Sequence, residues 1–105
     1  MKKGSVDLLL LSLLEDQDRH GYEIGKLIEE RSGGRLQFRI SSLYPVLCRM
    51  EERSWIKGRW VEKAGERRRR FYKLTDKGRD ALEREKETWD EFTLAVNLVL
   101  EPNDA

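Results

Sequence analysis

The order of periodicities along this chain predicts a mainly α fold, a winged helix-turn-helix of three helices plus a two-stranded wing, extended by one long C-terminal dimerisation helix. Three observations carry that prediction. Apolar residues recur at helical spacing in three segments, two aromatic and β-branched runs follow around a glycine-containing link, and a 4-3-4-3 apolar ladder runs toward the C-terminus.

The bulk properties bound what such a fold does. At 105 residues the chain has the size of one domain, and 38% hydrophobic against 39% charged residues leaves a modest core. No apolar run approaches the roughly 20 residues that cross a bilayer, and "VDLLLLSLL" carries an acid, so neither a span nor a cleavable signal is expected and the chain reads as cytoplasmic. The single cysteine, Cys48, has no partner for an internal disulfide, and no Cys/His cluster has metal spacing, so no metal or other cofactor is expected. Net charge is only +1, but it is unevenly spread: residues 53–74 hold nine Lys/Arg against two Glu, while residues 75–101 hold four Lys/Arg against eight acids. A local positive patch on a nearly neutral chain is the footprint of a DNA binder.

The first helix is expected over residues 5–15, with Ser5 as its N-cap and Val6, Leu9, Leu10, Leu13 and Leu14 on one stripe. Leu8 and Leu11 fall outside that stripe, so this helix is expected to pack on its own core and on a second chain. "DQDRHG" reads as a polar turn, with His20 placed to cap the next helix or touch phosphate. Residues 21–32 form the second helix, with Tyr22, Ile24, Leu27 and Ile28 inward and Gly33-Gly34 as the stop.

The third helix is expected over residues 41–53, with Leu43, Val46, Leu47 and Met50 inward. At about 100° per residue the opposite side is Ser41, Pro45, Cys48, Arg49 and Glu52, with Tyr44 on the flank. Pro45 is comfortable if Ser42 is the cap, and is expected to kink the helix if it begins nearer Arg39. Strands follow at 55–62 and 69–75, joined by residues 63–66 and the start of four consecutive arginines. Thr75 then caps a helix whose ladder is Gly78, Leu82, the outlier Glu85, Trp89, Phe92, Val96 and Val99. It is expected to run about 25 residues, roughly 37 Å, before Pro102. Residues 1–75 thus form the DNA-binding domain, and residues 76–105 the dimerisation helix and tail.

In this architecture the second and third helices are the bihelical unit, the third enters the major groove, and the ribbon lies along the backbone. Free N–H groups at the third helix's first turn attract phosphate, and the hydroxyls of Ser41, Ser42 and Tyr44 stand beside them. Neighbours on a strand point to opposite faces, so Arg67 to Arg70 do not all aim one way. Blander roles stand beside these: the serines as caps, Tyr44 as a core residue, Cys48 as a small filler, Trp60 and Phe71 as anchors of the ribbon, Trp89 and Phe92 as dimer-core aromatics. No glycine-rich phosphate loop, metal cluster or acid/base pair supports catalysis, so no catalytic residue is assigned.

The segments "HGYEIGKLI", "SSLYPVLCRMEERSWI" and "RRRFYKLTDKG" resemble, in order and spacing, those of PadR-like transcriptional regulators, specifically the short subgroup with one long C-terminal helix; the likeness spans about residues 5–100. The resemblance implies a homodimeric repressor on a two-fold symmetric duplex operator, its recognition helices about 34 Å apart. It assigns DNA contact to Tyr22, Ser41, Ser42, Tyr44, Pro45 and Arg49, with Arg39 just ahead of them, and the wing contacts to Lys63, Arg67, Arg68 and Arg69. The dimer and effector surface would be Val6, Leu8, Leu11, Trp89, Phe92, Val96 and Val99, with Trp89 placed to stack a planar hydrophobic small molecule that relieves repression. Members commonly have glycine after the third helix, where this chain has Ser54-Trp55, so that turn is expected to differ. One alternative reading is a winged-helix module for protein contact, without sequence-specific DNA binding; another is single-strand RNA binding, for which Trp60 and Phe71 are the candidate stacking aromatics.

Overall fold

The computed structural model describes residues 5–101. In chain order the elements are α1 (Ser5–Leu13), β1 (Arg19–His20), α2 (Gly21–Arg31), α3 (Ile40–Glu52), β2 (Ile56–Val61), β3 (Arg69–Leu74) and α4 (Asp76–Leu100). All three strands join one antiparallel sheet in the order β1-β3-β2. The expected two-stranded wing is therefore three-stranded at its base, because Arg19 pairs with Tyr72 and His20 with Phe71. Two residues are too few to show an alternating pattern, and an open edge on β3 captures them where a polar turn was expected.

Ser5 lies within α1, so it is a helical residue rather than the cap before the helix. The helix ends at Leu13, short of the expected Glu15, where the buried Arg19 side chain donates from Nε to the Leu13 carbonyl at 2.6 Å. Leu10, Leu11, Ile24, Leu43, Leu47, Met50 and Leu82 are fully buried and form the centre of the core. Leu11 corrects an expectation: at 0% exposure within its own chain it has no surface left for a second one. α1 packs against both α2 and α4, so more than a single stripe of it is covered.

α2 ends in a left-handed glycine, Gly33 at φ +64°, with the Gly34 N–H bonded to the Glu29 carbonyl at 2.8 Å. α3 ends the same way without glycine. Ser54 occupies the left-handed position at φ 62°, its N–H bonds the Glu51 carbonyl and the Trp55 N–H bonds the Met50 carbonyl, each at 3.0 Å. The turn is thus the glycine type made by a serine.

Pro45 lies inside α3, because Arg39 and not Ser42 is the N-cap. Its ring nitrogen has no proton to give the Ser41 carbonyl, which sits at an exposed residue. Thr75 caps α4: its Oγ1 accepts from the Gly78 N–H at 3.0 Å and donates toward the carbonyls of Ser54 and Trp55. A Cβ on Gly78 would stand 2.0 Å from the Trp55 carbonyl oxygen, so only glycine allows this approach of α4 to the α3–β2 turn.

α4 is 25 residues long and stretches the molecule to a 67 Å principal extent. Gly78, Ala81 and Leu82 are buried against the core, whereas Trp89, Phe92, Val96 and Val99 on the same ladder are exposed. Leu94, Leu98 and Leu100 add exposed apolar surface that the ladder did not include. Among the described residues no helix is long and apolar enough to cross a membrane. The stop assigned to Pro102 lies outside the described residues.

Candidate nucleic-acid interface

The entrance of α3 is open. Arg39 caps it with extended backbone and no side-chain hydrogen bond, and the exposed Ser41, Ser42, Tyr44 and Pro45 follow in the first two turns. Because the helix starts one residue before Ser41, neither serine acts as the cap, and both hydroxyls face outward with Tyr44. Tyr22 corrects the inward position that periodicity suggested: it is 70% exposed beside this entrance. α2 buries only Gly21, Ile24 and Ile28, a narrower stripe than expected.

Farther along α3, Cys48 and Arg49 are half-buried. Arg49 pairs with the nearly buried Asp7 of α1, and its Nε is buried without a partner. A buried carboxylate needs a paired charge, so this contact holds α3 to α1.

The four arginines divide between the two faces of β3 and its tip, as strand alternation requires. Arg70 donates to both carboxylate oxygens of Glu51 on α3, from Nε at 3.1 Å and from Nη2 at 2.7 Å. Its guanidinium crosses the surface of Gly58 on β2, where a Cβ would come within 2.6 Å of it, and lies over the Trp60 and Tyr72 rings. The Glu51 hydrogen bond, more than any other influence, holds the Arg70 pKa above its ordinary value. Tyr72 below it is pushed up to about 12, first by burial and then by the Glu51 charge, so it stays a neutral core phenol.

Arg69 points to the opposite face, where its Nη1 lies 2.9 Å from Nε2 of His20. That imidazole caps α2, Nδ1 accepting from the Glu23 N–H at 3.2 Å, and stacks edge-on against Phe71. Lys63, Arg67 and Arg68 are exposed around the tip, with Arg68 over Trp60 at 4.7 Å. Trp60, expected to anchor the ribbon, is instead 51% exposed between Arg68 and Arg70, while Phe71 is half-buried.

One cleft of about 430 Å³ joins these parts: Tyr22, Ile40 and Tyr44 form its helical side, Trp60, Arg67 and Arg69 its wing side. The hydroxyl-bearing helix entrance and the cationic ribbon therefore share one concave surface. Such a surface offers charge-assisted donors to phosphates and a protruding helix to a groove. The Glu51–Arg70 clasp and the glycine beneath it were not anticipated from sequence. The available signal was alternation, which puts Arg68 and Arg70 on one face of the ribbon; Gly58, which pairs with Tyr72, lies diagonally from Arg70 and leaves room there.

Comparison with known proteins agrees with this geometry. The model of the transcriptional regulator PadR-like family matches residues 10–84. A transcriptional regulator from Clostridium thermocellum superposes with a TM-score of 0.86 at 29% identity, covering 94% of this chain and 93% of that one. A PadR family transcription regulator from Clostridium difficile R20291 does so with a TM-score of 0.79 at 34% identity, covering 91% and 98% respectively. Protein X of Lysinibacillus sphaericus is 28% identical over 99 residues, covering 94% of this chain and 91% of its own length. The winged helix-turn-helix with its long α4, and the family model matched across most of its length, make this chain a member of the PadR-like family of transcriptional regulators, which are not enzymes.

Proposed function

We propose that this regulator is a homodimeric repressor that binds a two-fold symmetric duplex operator, with α3 in the major groove and the ribbon against the sugar-phosphate backbone. The observation that carries the reading is the shared cleft: Tyr22 and Tyr44 on one wall and Arg67 and Arg69 on the other put groove-reading and phosphate-binding groups on one side of the molecule. Ser41, Ser42, Tyr44 and Pro45 supply the outward face of α3, with Arg39 and Tyr22 at its rim. Arg49 reaches toward DNA only with the part of its guanidinium that Asp7 leaves free. Lys63, Arg67, Arg68 and Arg69 supply sequence-independent, salt-sensitive affinity.

The exposed seam of Trp89, Phe92, Val96 and Val99 supports pairing of two chains through α4, with the half-buried Val6 and Leu8 of α1 at the margin. Trp89 and Phe92, with ring centroids 6.1 Å apart, offer a planar hydrophobic effector an aromatic surface between subunits. Selection from a random duplex pool, followed by gel filtration of the complex, tests the reading: a palindromic consensus bound by two chains is expected. Binding with no sequence preference would favour a protein-contact role instead. Tryptophan fluorescence titrated with planar dyes tests the effector; unchanged emission at saturating dye removes it.

A further inference from the structure

The contact between His20 and Arg69 is chemically unresolved in the protein alone. The Glu23 N–H has a fixed direction along α2 and donates to Nδ1 of His20, which requires a lone pair on Nδ1. A neutral imidazole that accepts at Nδ1 carries its proton on Nε2, and an imidazolium carries protons on both nitrogens. In either state Nε2–H is a donor. Arg69 Nη1, 2.9 Å away, is also only a donor. Two donors at hydrogen-bonding distance lack the acceptor that would satisfy them both.

The surroundings indicate which acceptor fits. The two groups border a hollow of about 170 Å³ that runs along the wing from His20 to the tip residues Lys63, Glu66 and Arg67. Three cations against one carboxylate make it a site for an anion rather than for a carbonyl or a water alone. Its edges belong to the ribbon and to the start of α2, so an anion held there bridges the wing and the helix-turn-helix. The Glu23 N–H is already engaged by Nδ1, and neither Gly21 nor Tyr22 lines the hollow, so the donors to the anion are side chains and not the helix terminus.

We propose that His20 and Arg69 form a two-pronged clamp for one phosphodiester group of duplex DNA, Nε2–H and the guanidinium donating to its non-bridging oxygens. The clamp rests on the DNA-binding reading above and adds a contact outside the arginine run. It turns a mutually opposed pair of donors into a satisfied pair only when DNA is present, so part of the ribbon's orientation is completed by the ligand. His20 acts without a formal charge, so its contribution differs in kind from that of the wing arginines.

The chain has a single histidine, so its imidazole nitrogen resonances are assigned without mutagenesis. In the free protein at neutral pH the expected tautomer is Nε2–H with Nδ1 unprotonated; an Nδ1–H tautomer would overturn the proposal, since Nε2 would then accept from Arg69. Addition of a random-sequence duplex is expected to shift Nε2. A shift with inorganic phosphate but none with the duplex would assign the hollow to a free anion and defeat the clamp. His20→Asn keeps a good N-cap residue and removes Nε2–H; it is expected to weaken duplex binding about three- to tenfold. Combined with Arg69→Gln, its effect is expected to be less than multiplicative, because both groups serve one phosphate. If His20→Asn binds as wild type while Arg67→Gln and Arg68→Gln weaken binding, the clamp fails and the wing assignment stands. If none of the wing changes weakens binding, the DNA-binding reading of the wing fails, and the clamp with it.

Discussion

Arg70 on β3 and Glu51 on α3 meet in a two-point contact, Nε to Oε1 at 3.1 Å and Nη2 to Oε2 at 2.7 Å, that joins the ribbon to the helix predicted to read DNA. Each side chain is about a quarter exposed, so the pair is neither free in water nor fully desolvated. Its geometry fixes where the wing stands relative to α3.

Arg70→Gln is therefore expected to cost about 1 kcal/mol of stability and to weaken operator binding with little change in its salt dependence. Arg68→Ala should behave oppositely, with the slope of log affinity against log salt falling by about 1 and stability unchanged. Salt titrations of the two variants on one duplex distinguish the roles. Equal slopes for both variants would mean that Arg70 is simply another phosphate contact.

Gly78→Ala places a methyl 2.0 Å from the Trp55 carbonyl oxygen, a backbone atom that cannot swing aside. The expected loss is about 3 kcal/mol, overpacking outweighing the helix propensity gained. Urea unfolding measures it, and a variant as stable as wild type would show that the α4 start is not pinned to that turn.

Ser54→Gly should do the reverse. Ser54 holds φ 62°, where a side chain is strained and glycine is not. A gain of about 0.5–1 kcal/mol is expected after allowing for the greater freedom of glycine in the unfolded chain. A lowered melting temperature would contradict the left-handed turn.

His20 makes stability depend on pH. Its pKa lies below the ordinary 6.5, first through burial and then through Arg69, with Glu23 opposing. The folded state thus binds this proton less readily than the unfolded chain, and stability rises with pH between the depressed value and 6.5. The contribution is complete above 6.5 and is lost as pH falls through the folded value. Thermal melts from neutral to mildly acidic pH should show a decline that His20→Asn flattens; identical profiles would place the dependence elsewhere.

The exposed half of α4 supplies the last test. Val99→Asp, at a residue 84% exposed within one chain, should leave the melting of a monomeric domain intact. Sedimentation should show a shift from dimer to monomer, with operator affinity falling at least tenfold as two-site attachment is lost. A variant that remains dimeric would remove Val99 from the pairing surface.

Local pattern was sufficient for much of this molecule. The helices, the two longer strands, the Thr75 cap and the glycine stop after α2 follow from apolar spacing and turn chemistry within short windows, so they are written in neighbouring residues. The exposed entrance of α3 followed too, because its outward face is the complement of a Leu43–Leu47–Met50 stripe.

What only the tertiary structure decided are partnerships between distant residues. Arg70 finds Glu51 from 19 residues away and Arg69 finds His20 from 49, so four adjacent and chemically identical side chains acquire different tasks. Leu11 is core and Val99 surface for the same reason: burial depends on which element lies opposite, and periodicity along one helix does not specify its neighbour. β1 exists because β3 has an open edge, a property of the assembled sheet that a two-residue segment cannot express alone.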